Sequence, residues 1–118
     1  MAVQRGIRVA ALIQEKVGAL IVEGKIKDPR VDSFLSITRV SVSRDLSFAD
    51  VYVSSYKTEA GLEKGVEGLQ SAAGFIQAKL SETMRIRQTP KLRFHVDAMF
   101  RESFDLNKKI DELNSHVR

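Results

Sequence analysis

The chain has no cysteine and no tryptophan, and only two prolines among 118 residues. The lack of cysteine excludes disulfide staples and cysteine-ligated metal sites, and fits a reducing cytoplasm. So few prolines, with no low-complexity run, leave no Pro-rich linker or tail. No apolar stretch approaches the roughly 18 residues needed to span a bilayer. The opening "MAVQRGIRVAALIQEKVGALI" carries charges within its apolar part, unlike a secretory signal. Phosphate-loop glycines, an H-E-x-x-H pair and calcium-loop carboxylates are all missing. Aromatics make up only 7% of residues, so stacking platforms are scarce.

What is present describes one ordinary globular domain over residues 1–118, expected to be a monomer. The hydrophobic fraction is 43% and the charged fraction 29%, which is not the composition of a disordered chain. The net charge of +4 is unevenly spread. Residues 1–44 hold eight Lys or Arg against four acids, and residues 45–84 hold three against six. The segment "RIRQTPKLR" (85–93) holds four basic residues and no acid. Concentrated positive charge is the footprint of a polyanion binder, although a solvated surface has the same composition.

Periodicity predicts the elements. Val9, Ile13, Val17 and Leu20 form an apolar stripe on a helix from Gln4 to Glu23, with Gly24 as its stop. "KIKDPRVDS" is a connection broken at Asp28-Pro29. "FLSITRVSVS" and "SFADVYVSS" are strands joined by a hairpin turn at "SRDL", with Ala49, Val51 and Val53 on one face and Phe48, Asp50 and Tyr52 on the other. Thr58 is an N-cap followed by Glu59. In the next helix Leu62, Val66, Leu69 and Ala73 share a face, and beside them run Gly61, Gly65, Gly68 and Ala72, a stripe smooth enough for another backbone to approach or else the mark of a weak helix. Apolar positions then continue through Ile76, Leu80 and Met84 to about Arg87. "KLRFHVD" alternates, with Leu92, Phe94 and Val96 in and Arg93, His95 and Asp97 out. Leu106, Ile110 and Leu113 fit a short C-terminal amphipathic helix. Strands interrupted by helices that cover one sheet face give a two-layer α+β domain.

Two features bear on function. His95 and Asp97, two apart on a strand, are where a general base would begin, though an exposed histidine near an acid is the plainer reading. In "LQSAAGFIQAKL" (69–80), Gly74 follows three small residues in mid-helix, where glycine costs about 0.5–1 kcal/mol relative to alanine. A break at Ala72-Ala73-Gly74 would start a new helix, and small residues there would let a nucleic-acid backbone come close. It would equally serve only to turn one helix against another. A glycine needed at a kink should also resist a Cβ, so Gly74→Ala is expected to destabilise.

Several motifs in register resemble the ribosome-binding factor A family of bacterial small-subunit maturation factors. They are "IKDPR" (26–30), "VSVSRDLSFADVYVS" (40–54), "LQSAAGFI" (69–76), Leu80, "MRIR" (84–87) and the series Pro90, Leu92, Phe94. The resemblance implies a type II K-homology-like fold (α-β-β-α-kink-α-β, a three-stranded sheet and a short C-terminal helix). In that family an Ala-x-Gly kink, here Ala72-Ala73-Gly74, replaces the usual glycine loop. It implies a non-enzymatic cytoplasmic factor without catalytic residues, metal or cofactor. Such a factor binds the free precursor small subunit and its ribosomal RNA near the 5′-terminal helix, and aids late processing and growth in the cold. A ribosome-associated GTPase is an implied co-worker, and no membrane is involved. Many relatives carry a long C-terminal tail, whereas this sequence stops at Arg118. The expected RNA contacts are Arg5 and Arg8 at the first helix start, Lys27 and Arg30 around Asp-Pro, and Arg44 at the hairpin tip. The kink Ala72-Ala73-Gly74 follows, then Arg85, Arg87, Lys91 and Arg93. Asp28 and Asp45 are expected to hold turns. The other classes are a general K-homology module for single-stranded RNA, and an enzyme using His95 and Asp97.

Overall fold

A computed structural model of the chain describes residues 2–84 and 89–97. The elements run α1 (Ala2–Val22), β1 (Leu35–Val42), β2 (Phe48–Ser55), α2 (Glu59–Ser71), α3 (Ala73–Thr83) and β3 (Lys91–Val96). The expected C-terminal helix lies outside the described residues.

The apolar periodicities set the layers. Val9, Ile13, Val17 and Ile21 place one face of α1 in the core, with Leu20 only partly buried, so the stripe runs strictly at i, i+4 rather than turning to Leu20. The sheet contributes Ile37, Ala49, Val51, Val53, Leu92 and Phe94; α2 and α3 contribute Leu62, Leu69, Ile76 and Leu80. The three described helices thus cover one face of a three-stranded sheet ordered β1-β2-β3. β1 and β2 are antiparallel and β2 and β3 parallel. Parallel neighbours need a long crossover, which α2 and α3 supply.

Polar side chains finish the elements. Gly24, at φ 67°, ends α1 with Gly24 N–H donating to Ile21 O and Lys25 N–H to Leu20 O, the paired bonds of a glycine C-cap. The Thr58 hydroxyl accepts from Gly61 N–H at 3.0 Å and caps α2. Both sheet edges are tended by glutamines. Gln14 Nε2 donates to Ile37 O on β1; Gln70 donates to Leu92 O and accepts from Phe94 N–H on β3. Such covering blunts an open strand edge.

Two of the α2 glycines, Gly65 and Gly68, do what their stripe suggested, while Gly61 faces only the capping Thr58 hydroxyl. A Cβ on Gly65 would sit 2.7 Å from Leu35 Cδ1 and Cδ2. One on Gly68 would lie 3.0 Å from Arg30 Cβ and Val31 Cγ2. The connection at residues 28–35 therefore packs directly on the α2 backbone.

Two expectations fail. The helix stops at Thr83, and Met84 is extended at φ −93°, ψ 112°. The hydrophobic stripe continues because Met84 is still buried in the core, so periodicity alone overran the helix end. Asp97 does not share the exposed face of His95. Beyond the last strand residue the alternation lapses, and Asp97 is buried, accepting a hydrogen bond from the Thr38 hydroxyl.

Candidate nucleic-acid interface

The break between α2 and α3 falls where the small residues stand. Ala72 is the shared cap at φ −90°, ψ 5°, its N–H reaching Gly68 O and Leu69 O, and it offers α3 no side-chain cap. Gly74 is one residue inside α3, exposed, and without a positive φ. A Cβ there would meet no atom of the described residues within 4 Å. The expectation that Gly74 serves a strained angle or a tight internal contact is therefore overturned: Ala72 makes the turn, and Gly74 borders open space.

Beside this break lies a cleft of about 330 Å³ lined by Lys25, Lys27, Asp28, Ser71, Ala72 and Phe75. The α1 cap delivers Lys25 and Lys27, both exposed. Lys27 Nζ reaches only Gly24 O, at 3.4 Å, and neither lysine has an ion pair among the described residues. Phe75 is 43% exposed. Lys79, one turn on, holds its ammonium 5.7 Å from the Phe75 ring centroid.

Asp28 is the one acid among the described residues lining the cleft, and Arg30 occupies it. Its Oδ1 accepts from Arg30 N–H (2.9 Å) and Nε (3.0 Å), and its Oδ2 from Arg30 Nη2 (2.9 Å). The side-chain bond from Arg30, then the backbone bond, lower the Asp28 pKa to about 2. Arg30 also donates to Ser71 Oγ and lies 3.9 Å from Glu67. This fork ties the 28–31 turn to the end of α2 and fixes one wall of the cleft.

The remaining predicted cations fall elsewhere. Arg5 and Arg8 are exposed on the first turns of α1, and Gly6, Ile7 and Ala10 between and beside them face Arg44 and Val40–Ser43 across a second cleft of about 340 Å³. Lys91 joins that end, since it pairs with Phe48 at the hairpin base. Lys91 is also tied toward the kink, because Gln70, two residues before Ala72, donates to the carbonyl of its neighbour Leu92. Asp45 holds the hairpin as expected. It accepts from Ser47 Oγ, Ser43 Oγ and Ser47 N–H, which lower its pKa. Arg85 and Arg87 lie outside the described residues.

Arg93 belongs to the open face of the sheet. Its Nε and Nη2 bind the two oxygens of Asp50 at 3.0 and 3.1 Å, and its guanidinium lies 4.5 Å from the Phe48 ring centroid. His95 Nε2 is 2.8 Å from Asp50 Oδ1, so the partner of this histidine is Asp50 rather than Asp97. Burial works to raise the Asp50 pKa, but the bonds from His95 and Arg93 outweigh it and hold it below the usual range. A bulge between Ile37 and Arg39 brings Arg39 opposite Tyr52, where its guanidinium covers the ring at 4.0 Å.

Sequence reasoning missed Lys25, Phe75 and Lys79. Phe75 is an aromatic directly after the kink, a signal that was legible. Lys25 joins it only in three dimensions, 50 positions away.

The family model described as ribosome-binding factor A matches residues 5–113. Ribosome-binding factor A of Treponema denticola is 47% identical over 106 residues, covering 90% of this chain and 80% of that protein. The Borreliella burgdorferi protein of the same name is 42% identical over 108 residues, covering 92% and 90%. A crystal structure of ribosome-binding factor A from Thermus thermophilus superposes with a TM-score of 0.64 at 26% identity, over 81% of this chain and 97% of that one. A homology model of the Thermus thermophilus protein, fitted into a cryo-EM map of its 30S complex, gives 0.52 at 26% identity, over 71% and 90%.

Proposed function

The chain belongs to the ribosome-binding factor A family, and on that premise we propose that the cleft at the α2–α3 kink is the surface it turns to ribosomal RNA. The chain is a ribosome-binding maturation factor of the small subunit, with an RNA-binding α+β fold. The observation that carries the choice of surface is the pair Lys25 and Lys27 in the kink cleft: two cations without carboxylate partners among the described residues, facing a wall whose residues Ser71 and Ala72 are small. A phosphate backbone needs both.

Arg5, Arg8 and Arg44, with Lys91 paired to Phe48 at the hairpin base, form a second proposed patch beside the other cleft, for a further stretch of RNA. Arg85 and Arg87 remain proposed contacts of their own. Arg30 and Arg93 join the proposal as positioning groups, because carboxylates of the chain already hold them. The remaining proposals are a single domain over residues 1–118, a monomeric cytoplasmic protein without catalytic activity, contact near the 5′-terminal helix of the small-subunit RNA, and cooperation with a ribosome-associated GTPase. No helix among the described residues is long and apolar enough to cross a membrane.

RNA crosslinks mapped from the protein bound to free small subunits test this reading. Crosslinks should concentrate at residues 25–27 and 72–75. Binding measured against salt should fall with a log–log slope steeper than about −2, since each neutralised phosphate contributes roughly −0.7 to −0.9. An affinity indifferent to salt, or crosslinks confined to the open sheet face, would discard the cleft.

A further inference from the structure

Phe75 is a large ring left 43% exposed at the wall of a cleft whose free charges are positive. Lys79 approaches the ring but does not line the cleft, so the cleft-facing part of the phenyl is open. The volume of about 330 Å³ lies at the small end of the ~300–1,000 Å³ of ligand pockets. The combination of flat apolar wall and flanking ammonium groups matches one chemical object, a base with the phosphates on either side of it. Duplex RNA does not offer that object, because its bases are stacked on each other and turned inward.

We propose that the kink cleft takes one unpaired RNA nucleotide, its base stacked on Phe75 and its neighbouring phosphates held by Lys25 and Lys27. The proposal rests on the reading that this cleft faces ribosomal RNA, and deepens it: the protein recognises a single-stranded position, not only a backbone shape. Asp28 does not oppose the charge, since Arg30 occupies both its oxygens. Gly74 leaves room for the sugar-phosphate chain to pass beside the ring.

Because the chain has no tryptophan, Phe75→Trp introduces a sole indole reporter at the site. The full-length variant is titrated with a single-stranded RNA of about 10 nucleotides and with the duplex of the same strand. Stacking predicts quenching by the single strand, little by the duplex, and affinity at least equal to that of the parent. Phe75→Leu, which keeps an apolar side chain at an exposed position, should lose about 5- to 150-fold in single-strand affinity. Its salt slope should be unchanged, because the phosphate contacts persist. Failure of the parent to bind the single strand, absence of quenching at saturation, or full affinity of Phe75→Leu would each overturn the stacking. Lys25→Gln with Lys27→Gln separates the two layers. If this pair weakens subunit binding while Phe75→Leu does not, the cleft meets RNA without a stacked base. If neither does, the cleft itself is wrong.

Discussion

On the open face of the sheet, Arg39 covers Tyr52, Arg93 is shared between Asp50 and Phe48, and His95 lies against the same Asp50. At the kink, Lys25 and Lys27 have no ion pair among the described residues, and the neighbouring acid is bound by Arg30. The two regions hold similar numbers of cations and differ in what remains for a partner. A guanidinium 3.0 Å from a carboxylate presents a dipole, whose field fades faster than that of a lone ammonium. Exposed pairs of this kind stabilise the fold by at most about 1 kcal/mol, and a cation over an exposed ring adds about 0.5–1. On the sheet face Arg93 and His95 already share a carboxylate and Arg39 is held against a ring, whereas the cleft lysines await their counter-charge.

Charge reversal should separate the regions most widely. Lys25→Glu with Lys27→Glu should weaken binding to free small subunits by at least tenfold, about 1.4 kcal/mol, and flatten the salt slope by roughly 2. Arg39→Gln with Arg93→Gln should change affinity by less than about twofold and leave the slope alone. Equal losses from the two pairs would mean that the internal partners of the sheet arginines do not withhold them from RNA.

Acid should act on both regions through folding. Asp28, lowered to about 2, and Asp50, also lowered, bind fewer protons folded than unfolded. Each therefore stabilises the domain fully above the ordinary aspartate value of about 3.9, and that stabilisation is lost as pH falls through the folded value. For Asp28 the window runs from about 4 down to about 2. Thermal midpoints taken across it should fall for the parent and fall less for Asp28→Asn and for Asp50→Asn. Near pH 7 only Asp28→Asn should also weaken subunit binding, because it frees Arg30 and loosens the cleft wall. A parent midpoint that is flat across the window would show that neither carboxylate is coupled to folding.

Much of this arrangement was legible in the sequence where local pattern and tertiary demand agree. Thr58 and Gly24 are fixed by the backbone groups next to them, and the alternation of β2 by a sheet with one buried face. The end of α3 was not legible, because Met84 serves the core whether or not its backbone is helical. Asp97 misled because alternation holds only while the strand lasts. The pairing of charges was hidden altogether: Arg93 and Asp50 stand 43 positions apart, and nothing in "RIRQTPKLR" says which cation will meet a carboxylate. The kink itself was readable, but its glycine was given the wrong reason.

Gly74 and Gly65 bring that reason to a test. Both interrupt helices with a residue that lowers helix propensity by about 0.8–1 kcal/mol relative to alanine. At Gly65 a Cβ would press 2.7 Å from two Leu35 carbons, so the packing cost opposes the propensity gain, and Gly65→Ala should lower the urea midpoint or leave it unmoved. At Gly74 a Cβ meets nothing among the described residues and the backbone needs no left-handed angle. Gly74→Ala should therefore stabilise the domain by about 0.4–1 kcal/mol, through propensity and a less free unfolded chain. Binding to free small subunits should move the other way, since the added methyl occupies the space left for the RNA backbone. Urea midpoints at constant m-value, set beside cosedimentation with subunits, decide between the cases. A lowered midpoint would mean that the glycine serves the fold after all. A raised midpoint with undiminished binding would mean that the open space at Gly74 is not where RNA approaches, and would move the contact deeper into the cleft toward Phe75.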